Sequence, residues 1–196
     1  MNSLTSGLAA ALLALSLGGC EAMPAKPPLE GAAIGGPFTL IDQNGRTVRD
    51  SDFNGKFRLV YFGYSYCPDV CPTDLQRLGA ALRAIEKSDP ALGAKLVPIF
   101  ISVDPERDTP PVIKAFVANF HSRMVGLTGS PEAIAKVAKE YGAAYKKMPP
   151  ATPGGAYLVD HVAVTYLMGR KGEPLALLSQ DMSPDQIVAE IRRWAS

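Results

Sequence analysis

Two cysteines, in the stretch Cys67-Pro-Asp-Val-Cys71-Pro72, are the residues of this chain best able to do chemistry. At the spacing Cys-x-x-x-Cys, two thiolates can close a disulfide or hold one soft metal ion, and a third ligand tips the balance towards metal. Structural packing competes with both, since free cysteine is among the most buried residue types. Two prolines and four aromatic neighbours (Tyr61, Phe62, Tyr64 and Tyr66) make an odd setting for packing alone. The chain has two histidines to supply a third ligand. His121 sits beside Ser122 and Arg123 after a helical pattern and reads as a solvated helix end. His161 follows Asp160 near the start of a strand-like run.

The cysteines need an element on each side to position them. Residues 57–63 form a β-type run, and Leu75, Leu78, Leu82 and Ile85 then recur at the three-and-four spacing of one buried helical face. Pro68 and Pro72 both favour a first-turn position. Cys67 is therefore placed in a tight turn and Cys71 at or near the N-cap, with the helix proper starting at Pro72. Both sulfurs then lie at the positive end of a helix dipole, which favours the thiolate, that of Cys71 in particular.

Before this unit, Asn44-Gly45 between short apolar segments predicts an N-terminal hairpin. After it, residues 95–103 form an apolar run suited to a parallel strand covered on both faces. Thr109-Pro110 and Ser130-Pro131 open two helices. Pro and Gly predict a loop without regular structure over residues 146–155. Residues 157–168 read as one strand, Gly169 to Gly172 as a turn into another, and Ser183 to Gln186 as a capping box opening the last helix. This order resembles an α/β thioredoxin-like fold with an additional N-terminal β-hairpin. The cysteine spacing is one residue longer than the Cys-x-x-Cys of a thiol oxidoreductase. In a thioredoxin-like chain the loop entering the late strand faces the tip of the cysteine helix, which brings His161 to Cys67 and Cys71. Two thiolates and an imidazole suit Cu(I) by softness, with zinc as the competitor.

The remaining composition bounds the rest. A net charge of +1 gives no basic excess for nucleic acid, and 196 residues suit one domain with a short leader. Residues 1–20 read as a lipoprotein-type signal that leaves Cys20 as a lipidated N-terminus, although no Lys or Arg precedes the apolar run. Residues 21–36, rich in Pro, Ala and Gly, read as a flexible tether, and 37–196 as the domain. Three cysteines thus divide into one lipid site and one functional pair. Export places the protein in the bacterial cell envelope, anchored by lipid and facing the periplasm, where a dithiol must be actively kept reduced.

From about Pro37 onward the chain resembles the SCO/SenC family of copper proteins. The resemblance is carried by Tyr61-Phe-Gly-Tyr64 with Cys67-Pro-Asp-Val-Cys71-Pro72, by Ser102-Val-Asp-Pro-Glu-Arg-Asp-Thr-Pro110, by Gly126-Leu-Thr-Gly129 and by Asp160-His161. It implies one copper ion per chain on Cys67, Cys71 and His161, held by a monomeric metallochaperone. It also implies delivery of copper to the CuA domain of cytochrome c oxidase subunit 2, with another periplasmic copper chaperone and a thiol reductant as further partners. The alternative is a thiol-disulfide oxidoreductase that reduces the acceptor's cysteines through a redox dithiol of Cys67 and Cys71, which can form a disulfide, or a redox sensor. One departure is Val162, where many members carry a small polar residue after the histidine.

Overall fold

The computed structural model describes residues 26–150, 152 and 154–195. The signal assigned to 1–20, with Cys20, and the first part of the tether lie outside the described residues. In chain order the elements are β1 (Thr39–Asp42), β2 (Thr47–Arg49), β3 (Phe57–Gly63), α1 (Val70–Ser88), α2 (Pro90–Gly93), β4 (Leu96–Ser102), α3 (Pro110–Val117), β5 (Val125–Thr128), α4 (Pro131–Tyr141), β6 (Tyr145–Met148), β7 (Leu158–His161), β8 (Val164–Met168), β9 (Pro174–Ser179) and α5 (Pro184–Trp194). Seven strands form one sheet in the order β2-β1-β5-β4-β3-β8-β9, and β6 with β7 forms a separate pair. The N-terminal hairpin therefore extends the sheet, β3, β4 and β5 run parallel, and β8 returns antiparallel to β3. This is the thioredoxin-like arrangement.

Every residue of β3 is buried, because both faces of the strand are covered. Alternation along the strand divides them. On one face Tyr61 meets α1, its hydroxyl donating to Asp74 at 3.1 Å. On the other, the Phe62 ring lies 5.3 Å from Tyr141 of α4. Phe100, paired with Tyr61, shares its face and meets Phe116 of α3 at 5.2 Å. Leu75, Leu78, Leu82 and Ile85 anchor α1 and are all essentially inaccessible. Full burial of such a side chain contributes about 2 kcal/mol. The strand thus ends at a fixed height, and the cysteines begin there.

Five expectations change. Helix α1 begins at Val70 with Asp69 as its N-cap, so Cys71 lies inside the first turn. Pro72 is tolerated there because first-turn amides have no intrahelical partner to lose. The run over 157–168 divides into β7 and β8, which belong to different sheets, and the loop assigned to 146–155 gives Lys146, Lys147 and Met148 to β6. Pairing with β7 supplies the ladder that local sequence does not specify. Residues 26–36, assigned to the tether, lie on the domain, with Leu29 N–H donating to Leu175 and Gly35 N–H to Glu140, at 3.1 and 2.9 Å.

The fifth change is His121, which is buried rather than solvated. Its Nδ1 accepts the Arg123 backbone N–H at 3.2 Å, so Nε2 carries the proton and donates to Glu86 at 3.3 Å. Burial holds this imidazole below its ordinary value of 6.5, against the pull of Glu86 and with Arg123 and Arg83 adding to the depression. The unfolded chain takes up the proton more readily, so this contribution to stability is present above about pH 6.5 and is lost as pH falls through the depressed folded value. His121→Asn keeps an acceptor for Arg123 but cannot titrate. Its urea midpoint is expected to start below that of the unsubstituted protein at neutral pH and to converge with it on acidification. Parallel pH profiles would contradict this account of His121.

Candidate metal centre

Cys67 occupies the turn after β3 and is half-buried, whereas Cys71, in the first turn of α1, is fully buried. The Cys71 backbone N–H points at Cys67 Sγ at 3.5 Å. The free amide at the helix start therefore serves the first sulfur, where the dipole argument had favoured the second. Cys67 is held well below the usual thiol range by the hydrogen bond from Cys71, with the amides of residues 69 and 71 also lowering it. Cys71 is pushed up by that same bond and by burial. The pair is thus a thiolate at the surface with a thiol behind it.

His161 closes the site from the end of β7. Its Nε2 lies 3.1 Å from Cys71 Sγ, and its Nδ1 lies 3.1 Å from the Val162 carbonyl oxygen. A carbonyl only accepts, so the proton is assigned to Nδ1 and the Nε2 lone pair is turned towards the sulfurs. The contact uses the backbone of Val162 and not its side chain. Tyr61 and Tyr64 stand edge-on to the imidazole at 6.2 and 5.8 Å and fix its plane. The ligand atoms of Cys67, Cys71 and His161 all lie within 4.8 Å of one another. One ion can reach all three. A soft cation fits this donor set better than a hard one.

Two carboxylates support the arrangement without being ligands. Asp74, beneath Tyr61, is buried, and that burial pushes its carboxyl up; Arg77 is its partner at 3.8 Å. Asp108, fully buried, accepts from the backbone N–H and hydroxyl of Ser65 at 3.0 and 2.5 Å, and from the Ser102 hydroxyl at 2.5 Å. It ties the cysteine turn to the end of β4. Sequence reasoning assigned Asp108 no role; an acidic residue one position before a helix N-cap was the available signal. An open cleft of about 470 Å³, lined by Cys67, Pro68, Val70, Met148, Leu158 and His161, leads to the site. Met148, at its rim, ends β6 rather than lying in a free loop.

Gly63 is where the strand yields to the site. A Cβ there would lie 2.8 Å from Cys71 Sγ, 2.9 Å from the Tyr61 ring and 3.1 Å from the Phe100 ring. Gly63→Ala is therefore expected to cost about 1–3 kcal/mol of stability and to displace Cys71. Weaker metal uptake in titrations of the reduced protein is the predicted result. Unchanged uptake would show that the Cys71 position is not set by this contact.

Comparison with known proteins follows the same outline. The family model for SCO1/SenC matches residues 26–196. Protein SenC of Rhodobacter capsulatus is 46% identical over 160 residues, covering 82% of this chain and 70% of that protein. SCO1 homolog 1, a mitochondrial protein of Arabidopsis thaliana, is 42% identical over 167 residues; the match covers 83% of this chain and about half (48%) of that protein. Among solved structures, Bradyrhizobium japonicum ScoI with copper bound superimposes with a TM-score of 0.74 at 44% identity, covering 83% of this chain and 99% of that one.

Proposed function

This chain belongs to the SCO1/SenC family, and on that footing we propose that it is a copper metallochaperone for cytochrome c oxidase assembly. One copper ion binds Cys67, Cys71 and His161 and passes to the CuA domain of oxidase subunit 2. The observation that carries this reading is the imidazole: with Nδ1 bonded to Val162, its free Nε2 faces the buried sulfur at 3.1 Å. A dithiol built for exchange alone has no use for that orientation. The chain acts as a monomer, receives copper from another periplasmic chaperone and depends on a thiol reductant.

Anchoring belongs to the same proposal. The leader ending at Cys20 supports a lipidated envelope protein, and among the described residues no helix is long and apolar enough to cross a membrane. Mass spectrometry of the membrane-bound form should find acylated Cys20, and an intact Met1 would contradict it.

One observation favours a second reading. An accessible low-pKa thiolate backed by a buried thiol is also the arrangement of an attacking and a resolving cysteine. Exchange needs the two sulfurs, whereas copper binding needs the imidazole as well. In Cu(I) competition titrations, the reduced protein should bind one ion, the disulfide form none tightly, and His161→Ala should bind at least about tenfold more weakly. Full copper affinity in His161→Ala would remove the three-ligand site. Retained activity in the cell as well would favour the reductase.

A further inference from the structure

His161 is carried by a hairpin that stands apart. Among the described residues no backbone hydrogen bond joins β6 or β7 to the seven-stranded sheet. Side chains of one turn, residues 104–107 after β4, reach it instead. Glu106 accepts from Lys147 of β6 at 2.7 Å, and Asp104 accepts the Tyr157 hydroxyl, just before β7, at 2.7 Å. Burial and the bond to Asp104 push the Tyr157 phenol up to about 12, so it remains a donor.

Arg107 is the centre of this bridge. It donates from Nη1 to the Tyr157 carbonyl at 3.0 Å and from Nε to Asp104 at 2.5 Å. Its guanidinium carbon lies 3.6 Å from the Tyr157 ring centroid, 4.8 Å from that of Tyr66 and 5.7 Å from that of Tyr64. Tyr64 and Tyr66 flank the cysteine turn, while Tyr157 leads into the strand that ends at His161. One planar cation therefore touches both halves of the metal site. Its Nη2 is buried without a hydrogen-bond partner among the described residues, as suits a guanidinium held by ring faces.

We propose that Arg107 is a positioning residue for the metal centre, setting the approach of His161 to Cys67 and Cys71 by clamping Tyr157 against Tyr64 and Tyr66. It touches no ligand atom and acts through His161. The inference rests on the reading of Cys67, Cys71 and His161 as copper ligands, and the test keeps the two apart.

A double-mutant cycle on the full chain measures Cu(I) affinity by competition for Arg107→Met, His161→Ala and the double variant. Arg107→Met is expected to weaken binding about tenfold, the lower end for loss of a residue that orients a ligand. In the His161→Ala background the same substitution should cost nothing further. Arg107→Lys keeps the charge but cannot stack or bridge in the same plane, so it should behave like Arg107→Met. In the metal-free protein, amide exchange at Asp160 and Val162, the β7-side amides that bond across the hairpin, should accelerate in Arg107→Met while that of β3 does not. Equal losses in both backgrounds, recovery of affinity by Arg107→Lys, or uniform acceleration of exchange would each overturn the positioning role. An ineffective His161→Ala would instead remove the copper reading on which it rests.

Discussion

Asp108 is a buried carboxylate that accepts from Ser65 of the cysteine turn and from Ser102 of β4. Hydrogen bonds to a charged acceptor are strong in a poorly solvated interior, and losing one side leaves buried groups unpaired. The site depends on such contacts because it is built from two pieces of chain that share no sheet. The cysteines arrive from the end of β3, and His161 arrives on a separate hairpin. The short stretch of residues 104–108 is bonded to both: Asp108 to the cysteine turn, and Asp104, Glu106 and Arg107 to the hairpin. The sheet fixes the height of the sulfurs, and this turn fixes the histidine against them.

The two thiols are unequal before any ion arrives. Cys67 receives the helix-terminal N–H and the Cys71 thiol hydrogen, so it is the sulfur that is ready as a thiolate at the cleft. Cys71 is shielded beneath it, beside Tyr61 and His161. A soft cation entering the cleft therefore meets an available ligand first and displaces one proton to gain the second. The same inequality suits thiol exchange. What separates the two chemistries is the imidazole, whose tautomer is set by a backbone carbonyl.

Much of this was legible in the sequence. Apolar periodicity after Cys71 gave α1, Asn44-Gly45 gave the first hairpin, and the long apolar run gave β4 with an error of one residue at each end. The three residues expected to meet at one point do so. The failures share a cause. Local pattern cannot show that residues 157–168 break between two sheets, or that Lys146 to Met148 pair with β7, since both depend on tertiary partners. Burial of His121 was hidden for the same reason: its partners are Glu86, far off in sequence, and a backbone amide. The order of the two thiols is not legible locally either, since a helix dipole marks the positive end of α1 but not which sulfur its N–H groups face.

X-ray absorption at the copper edge of the reduced protein, loaded with one equivalent of Cu(I), tests the central claim most directly. Two sulfur ligands and one imidazole nitrogen, with the nitrogen lost in His161→Ala, is the result expected from Cys67, Cys71 and His161. A first shell of two sulfurs alone, unchanged by His161→Ala, would contradict it.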